Sequence, residues 1–110
     1  MKHELGSVIA RRAYFDVGDM NRTSIVEVEI AAPVKSPHAD HEFMCSFRIK
    51  SPGSEVTETV YGIDELQALQ LALGYVEAKL RRLNTLSGLS LRWAGDEEGD
   101  LGIRIPTFST

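Results

Sequence analysis

Cysteine is almost missing from the chain. Cys45 is the single one in 110 residues, so no disulfide can form within the chain. A free thiol is consistent with a reducing compartment, and a cytoplasmic protein is expected. Long apolar runs are missing too: none approaches the roughly 20 residues of a membrane-spanning helix. Met1-Lys2-His3-Glu4-Leu5-Gly6 lacks the apolar core of a secretion signal. Nor is there a basic block: 12 Lys and Arg face 16 Asp and Glu, for a net charge of -4. Nucleic-acid backbones and anionic lipid surfaces are bound by clustered cations, so neither a nucleic acid nor a membrane is an expected partner. Glycine is not arranged for phosphate binding, because no Gly-rich loop opens a helix in the required pattern. No cofactor is expected.

What is present describes a globular chain. With 43% hydrophobic and 25% charged residues, the composition lies near the average for folded domains, which argues against wholesale disorder. The length suits one domain, residues 1–110. A domain of that size can bury one modest core without metal or disulfides.

Four segments carry strand patterns. Ser7 to Phe15 is rich in Val, Ile, Tyr and Phe, with mixed faces that leave its buried side open. Ser24 to Ala31 alternates Val26, Val28 and Ile30 with Glu27 and Glu29, the period of two of a half-buried strand. Pro33 to Asp40 reads as a loop. Glu42 to Lys50 sets Phe43, Cys45, Phe47 and Ile49 against Met44, Ser46, Arg48 and Lys50. Ser51-Pro52-Gly53-Ser54 is turn chemistry, and Glu55 to Tyr61 is a fourth strand. Pairing of the second and third strands would place Glu27 and Glu29 beside Arg48 and Lys50 on the solvent face.

One long helix follows. Asp64 can cap its start, with Gln67 three residues on, a relative of the capping box. Leu66, Leu69, Leu73, Val76, Leu80 and Leu83 recur at three and four residues and form an apolar stripe, widened by Ala68, Leu71, Ala72 and Tyr75. Lys79, Arg81 and Arg82 fall near the C-terminal end, where cations complement the helix dipole. Gly88 is the expected terminator, so the helix should end between Asn84 and Ser87. Leu89 to Trp93 alternates again as a short strand, Gly95 to Asp100 is an acidic loop, and Leu101 to Pro106 is a candidate return to the sheet. The expected fold is α+β: an antiparallel meander of about four strands, one long amphipathic helix packed on one face, and a short C-terminal strand region.

Candidate chemistry is sparse. His38, Asp40 and His41, with Glu42 and Cys45 nearby, are metal-binding residue types. Adjacent strand residues point to opposite faces, so these side chains need not converge, and a solvated loop is the expected reading. Cys45 alternates with Phe43 and Phe47 and reads as a small core residue. Asp96, Glu97, Glu98 and Asp100 lack the ligand spacing of a calcium loop. With Trp93 beside them they form the candidate contact for a partner protein, since aromatics are enriched at interface hot spots.

The stretch Tyr61-Gly62-Ile63-Asp64-Glu65-Leu66-Gln67-Ala68-Leu69-Gln70-Leu71-Ala72-Leu73 resembles a Gly-x-Asp-x-x-Gln-Ala-Leu signature. That signature belongs to an uncharacterised bacterial family classed as a domain of unknown function. Ile9-Ala10-Arg11-Arg12, Cys45 and Trp93-Ala94-Gly95-Asp96 are similar to the same family. The resemblance implies a free-standing single domain and carries no activity. The function expected is a non-catalytic protein-interaction or regulatory module, of an immunity or accessory-subunit type. The alternatives are a small-molecule or metal-binding module and an enzyme whose site forms at a dimer interface. A homodimer is an expected assembly, because a sheet with a helix on one face leaves its other face uncovered.

Overall fold

Alternation and turn chemistry divide the first 62 residues into strands, and the computed structural model, which describes residues 5–95 and 99–104, carries them. The elements are β1 (Val8–Asp16), β2 (Val26–Ala31), β3 (Val34–Lys35), β4 (Phe43–Ser51), β5 (Ser54–Gly62), α1 (Glu65–Ser87) and β6 (Leu91–Arg92). β1, β2, β4 and β5 form an antiparallel meander, with β6 added outside β1. The fold is α+β, with α1 packed on β4 and β5.

Register decides which face is inside. Tyr14, Arg12 and Ala10 of β1 stand opposite Val26, Val28 and Ile30 of β2. Val28 and Ile30 in turn face Ile49 and Phe47 of β4. Tyr14, Val26, Cys45 and Phe47 are fully buried on this face. The mixed pattern of β1 is thereby explained: its core face carries an arginine, whose environment is described below.

Among the described residues no helix packs on the opposite face, and charge pairs run across it. Glu29 lies 3.3 Å from Arg11, 3.5 Å from Arg48 and 3.7 Å from Lys50, and Arg48 also reaches Glu55 at 3.2 Å. Ser46 and Thr59 share a 2.7 Å hydrogen bond. The expected meeting of Glu27 and Glu29 with Lys50 and Arg48 is realised in the register. Glu58, on the core side of β5, pairs with Lys79 of α1 at 3.3 Å. A carboxylate thus closes the margin of the core without being buried unpaired.

Two strand readings are corrected. Residues 33–40 are not all loop, because Val34 and Lys35 pair with Met44 and Phe43. The pairing slips by one residue between β2 and β3, around Pro33, where a missing N–H interrupts the ladder. The candidate return over Leu101 to Pro106 is no strand in its described part, 101–104. Leu101 has a φ of 68° and Gly102 a φ of 67°, which bends the chain across β1. The buried Tyr14 hydroxyl donates to the Leu101 carbonyl at 2.6 Å, so a tertiary bond holds a conformation costly for leucine.

The helix obeys its caps. Asp64 is extended, its carboxylate accepts the Gln67 N–H at 2.7 Å, and the Gln67 side chain accepts the Ile63 N–H at 2.7 Å. Gly88 ends it in the left-handed conformation at φ 67°. The last turn holds no cation, because α1 continues beyond Lys79, Arg81 and Arg82 to Ser87. Replacing Asp64 with Ala is expected to cost about 0.5–2 kcal/mol of stability and to leave binding unchanged. Urea denaturation measures the first part. A fully stable variant that loses a partner would assign Asp64 to binding instead.

The stripe is rotated from its expected position. Ala68, Ala72, Val76 and Leu80 are fully buried, Leu69, Leu73 and Leu83 pack at the core edge, and Leu66 is 64% exposed. The helix lies so close to the sheet that alanines occupy its centre line. Gly62 sets this distance. A Cβ placed there would stand 2.6 Å from the Ala68 backbone nitrogen.

In the loop before β2, the Asp19 carboxylate accepts N–H bonds from Asn21 and Thr23 at 2.9 Å each. The Thr23 backbone bond, then that of Asn21, holds its pKa below the ordinary carboxylate value. Its contribution to stability is present above the unfolded-state pKa and is lost as pH falls through the folded one.

Candidate functional site

The candidate metal-binding residue types do not meet. His38, Asp40 and His41 are exposed in the loop between β3 and β4, while Cys45 points into the core. The described residues contain no group of three His, Cys, Asp or Glu placed to hold a metal ion. The loop is ordered locally by the His38 N–H, which donates to Ser36 Oγ at 3.1 Å. Cys45 is fully buried and its thiol contacts the Ala31 carbonyl at 3.4 Å. Burial pushes its pKa up, the opposite of an activated nucleophile.

Trp93 is held by the fold. The Arg12 guanidinium lies 3.8 Å from the indole centroid and donates to the Gly102 carbonyl at 2.6 Å. Gly95 and Gly102 lie against the ring so closely that a Cβ on either would come within 2.5 Å of it. The indole N–H is buried, with no hydrogen-bond partner among the described residues. Trp93 therefore clamps Leu101 and Gly102 onto β1, and Arg12 gains a cation–π contact in exchange for its place on the core face. Asp100 is exposed and accepts the Gly102 N–H at 3.0 Å. Asp96, Glu97 and Glu98 lie outside the described residues.

Two small clefts flank the helix. One, of about 150 Å³, lies between β1, β2 and α1, lined by residues including Ala10, Arg12, Val28, Leu73 and Ile103. The other, of about 200 Å³, opens between the β4–β5 hairpin and the C-terminal half of α1. α1 runs back along β5, so Lys79 and Leu83 come beside Val56 and Ile49. Ile49, Val56 and Leu83 supply apolar walls, and Leu86 stands 68% exposed at the rim. Lys79, Arg82, Ser51, Ser54 and Ser87 complete the lining. The rim continues over the exposed helix flank past Tyr75, Ala78 and Arg81.

This groove was not legible in the chain. Tyr75 read as widening the apolar stripe, Leu86 carried no reading, and the three cations read as complements to the helix dipole. The available signal was that Lys79, Arg82 and Leu86 share one side of α1, three and four residues apart.

An antiparallel sheet with a single long helix across part of one face defines a small α+β domain. Within that class the chain belongs to the family described as a domain of unknown function (DUF6968), whose model matches residues 10–105. The matched span includes β2 to β6 and nearly all of β1, so the family's defining unit is this sheet and helix together. No curated protein and no solved structure matches the chain.

Proposed function

We propose that the protein is a non-catalytic interaction module that binds another protein. The observation that carries this reading is the outer flank of α1. Leu71, Tyr75 and Leu86 are 41%, 52% and 68% exposed there, next to Lys79, Arg81 and Arg82. Apolar side chains rimmed by charge are the composition of a protein-binding surface. The clefts of about 150 and 200 Å³ are smaller than the roughly 300–1,000 Å³ of whole-metabolite sites, and the hollow of about 670 Å³ over the flank itself is an open depression of the helix surface. We place the protein in the cytoplasm, as a monomer or twofold dimer, and read Gly62 to Leu69 as the family's signature. The described part of the Trp93 region serves as the structural clamp of Leu101 and Gly102, with exposed Asp100 beside it.

The test is affinity capture from the native host with chemical cross-linking. A stoichiometric protein cross-linked to α1 is expected, and its yield should fall at least about tenfold for Tyr75→Glu. Tyr75→Glu must keep the wild-type unfolding midpoint for that comparison. Capture of no protein above background, at host expression levels, rejects the reading.

A further inference from the structure

We infer that the groove between the β4–β5 hairpin and the C-terminal half of α1 receives an acidic segment of the partner carrying one bulky apolar anchor. This rests on the interaction-module reading and names the chemistry of its partner. Three observations on this groove converge. Its volume, about 200 Å³, exceeds the roughly 150 Å³ of an apolar cavity that binds benzene. It falls short of the space a drug-sized ligand fills. One Leu, Met or Phe side chain therefore fits.

The second observation is the character of the walls. Ile49 is buried, Val56 and Leu83 are half-buried, and Leu86 is left exposed at the mouth. An apolar anchor would complete this partly formed apolar surface.

The third is charge. On a chain of net charge -4, the groove is lined by Lys79, Arg82 and three serines, and its lining contains no Asp or Glu. Lys79 is committed to Glu58 at 3.3 Å. Arg82 is exposed and pairs with no carboxylate among the described residues. Its planar guanidinium is suited to bidentate capture of a carboxylate. The anchor therefore belongs between Asp or Glu residues.

The test uses the full chain and synthetic octapeptides of Asp and Glu with one central Leu, Met or Phe. Control peptides carry Ser at the centre, or Lys in place of every acidic residue. Nuclear magnetic resonance titration should move the amide signals of Val56, Leu83 and Leu86. Both controls should bind at least about tenfold more weakly, and Arg82→Glu should weaken the acidic peptide similarly while Arg82→Lys recovers part of the loss. Thermal midpoints of both variants should match the wild type, since Arg82 is exposed.

Shifts confined to another surface, equal binding of the lysine peptide, or no shift at millimolar peptide each overturn the assignment. So does hexanoate binding as tightly as the best peptide, which would make the groove a small-molecule site. The two readings fail separately. If Arg82→Glu/Leu86→Ser captures the host partner as well as wild type, the groove assignment falls and the interaction module stands. If no partner is captured at all, the broader reading falls.

Discussion

Leu80→Ala is expected to lower the unfolding free energy by about 2–5 kcal/mol, and Leu66→Ala by less than about 0.5 kcal/mol. Both leucines belong to the same three-and-four spacing, so the sequence alone ranks them together. The structure separates them: Leu80 is fully buried, and Leu66 is 64% exposed. Truncating Leu80 removes transfer free energy and leaves a cavity beneath α1, where the sheet backbone cannot close in. Truncating Leu66 removes atoms already in water. Leu73, half-buried at the core edge, should fall between the two. Urea unfolding of the three variants measures the series. A loss for Leu66→Ala as large as that for Leu80→Ala would mean that the helix is rotated from the position described.

Gly62→Ala is expected to destabilise by about 1–3 kcal/mol, the range for forcing an extra carbon into a packed site. The added Cβ would meet the Ala68 nitrogen at 2.6 Å and its Cα at 3.0 Å. Neither can rotate away, because both are backbone atoms in the first turns of α1. The helix must move off the sheet, and Ala72 loses packing with it. Gly74→Ala is the control: its Cβ would meet nothing within 4 Å. Alanine there should stabilise by up to about 1 kcal/mol through helix propensity. Calorimetric midpoints shifting in opposite directions would support this account. A neutral Gly62→Ala would show that the helix has room to spare. The φ of Gly62 is not in the left-handed region, so no turn conformation requires glycine there. The lack of a side chain matters for close approach.

Charge placement illustrates where sequence reasoning succeeds and where it stops. The pairing of Glu29 with Arg48 was predictable, since alternation put both on one face and the meander brought β2 beside β4. The role of Arg12 was not. A cation between Ala10 and Tyr14 on a core-facing strand contradicts the expected pattern. Its resolution needs Trp93 and the Gly102 carbonyl, about 80–90 residues away in the chain. No local rule connects those positions.

The candidate groove has the same character. Its walls come from β4, β5 and α1, and its polarity from residues that each have an ordinary local explanation. Ile49 and Val56 are strand residues, Leu83 is a stripe residue, and Arg82 is a surface cation. A cleft between elements is set by the distance and angle at which they pack, quantities that no single segment contains.

The sequence by itself determined the elements: the period of two in β2 and β4, the stripe of α1, its Asp64 cap and its Gly88 stop. These depend on each residue and its near neighbours, through side-chain direction and backbone hydrogen bonding, so they can be read along the chain. Tertiary structure alone decided the rotation of α1 onto Ala68, Ala72, Val76 and Leu80, the buried side of β1, the clamp of Arg12 on Trp93 and the groove beside Arg82. Those follow from close packing between segments far apart in sequence, where one glycine at the contact sets the spacing and the spacing selects which side chains are left in water.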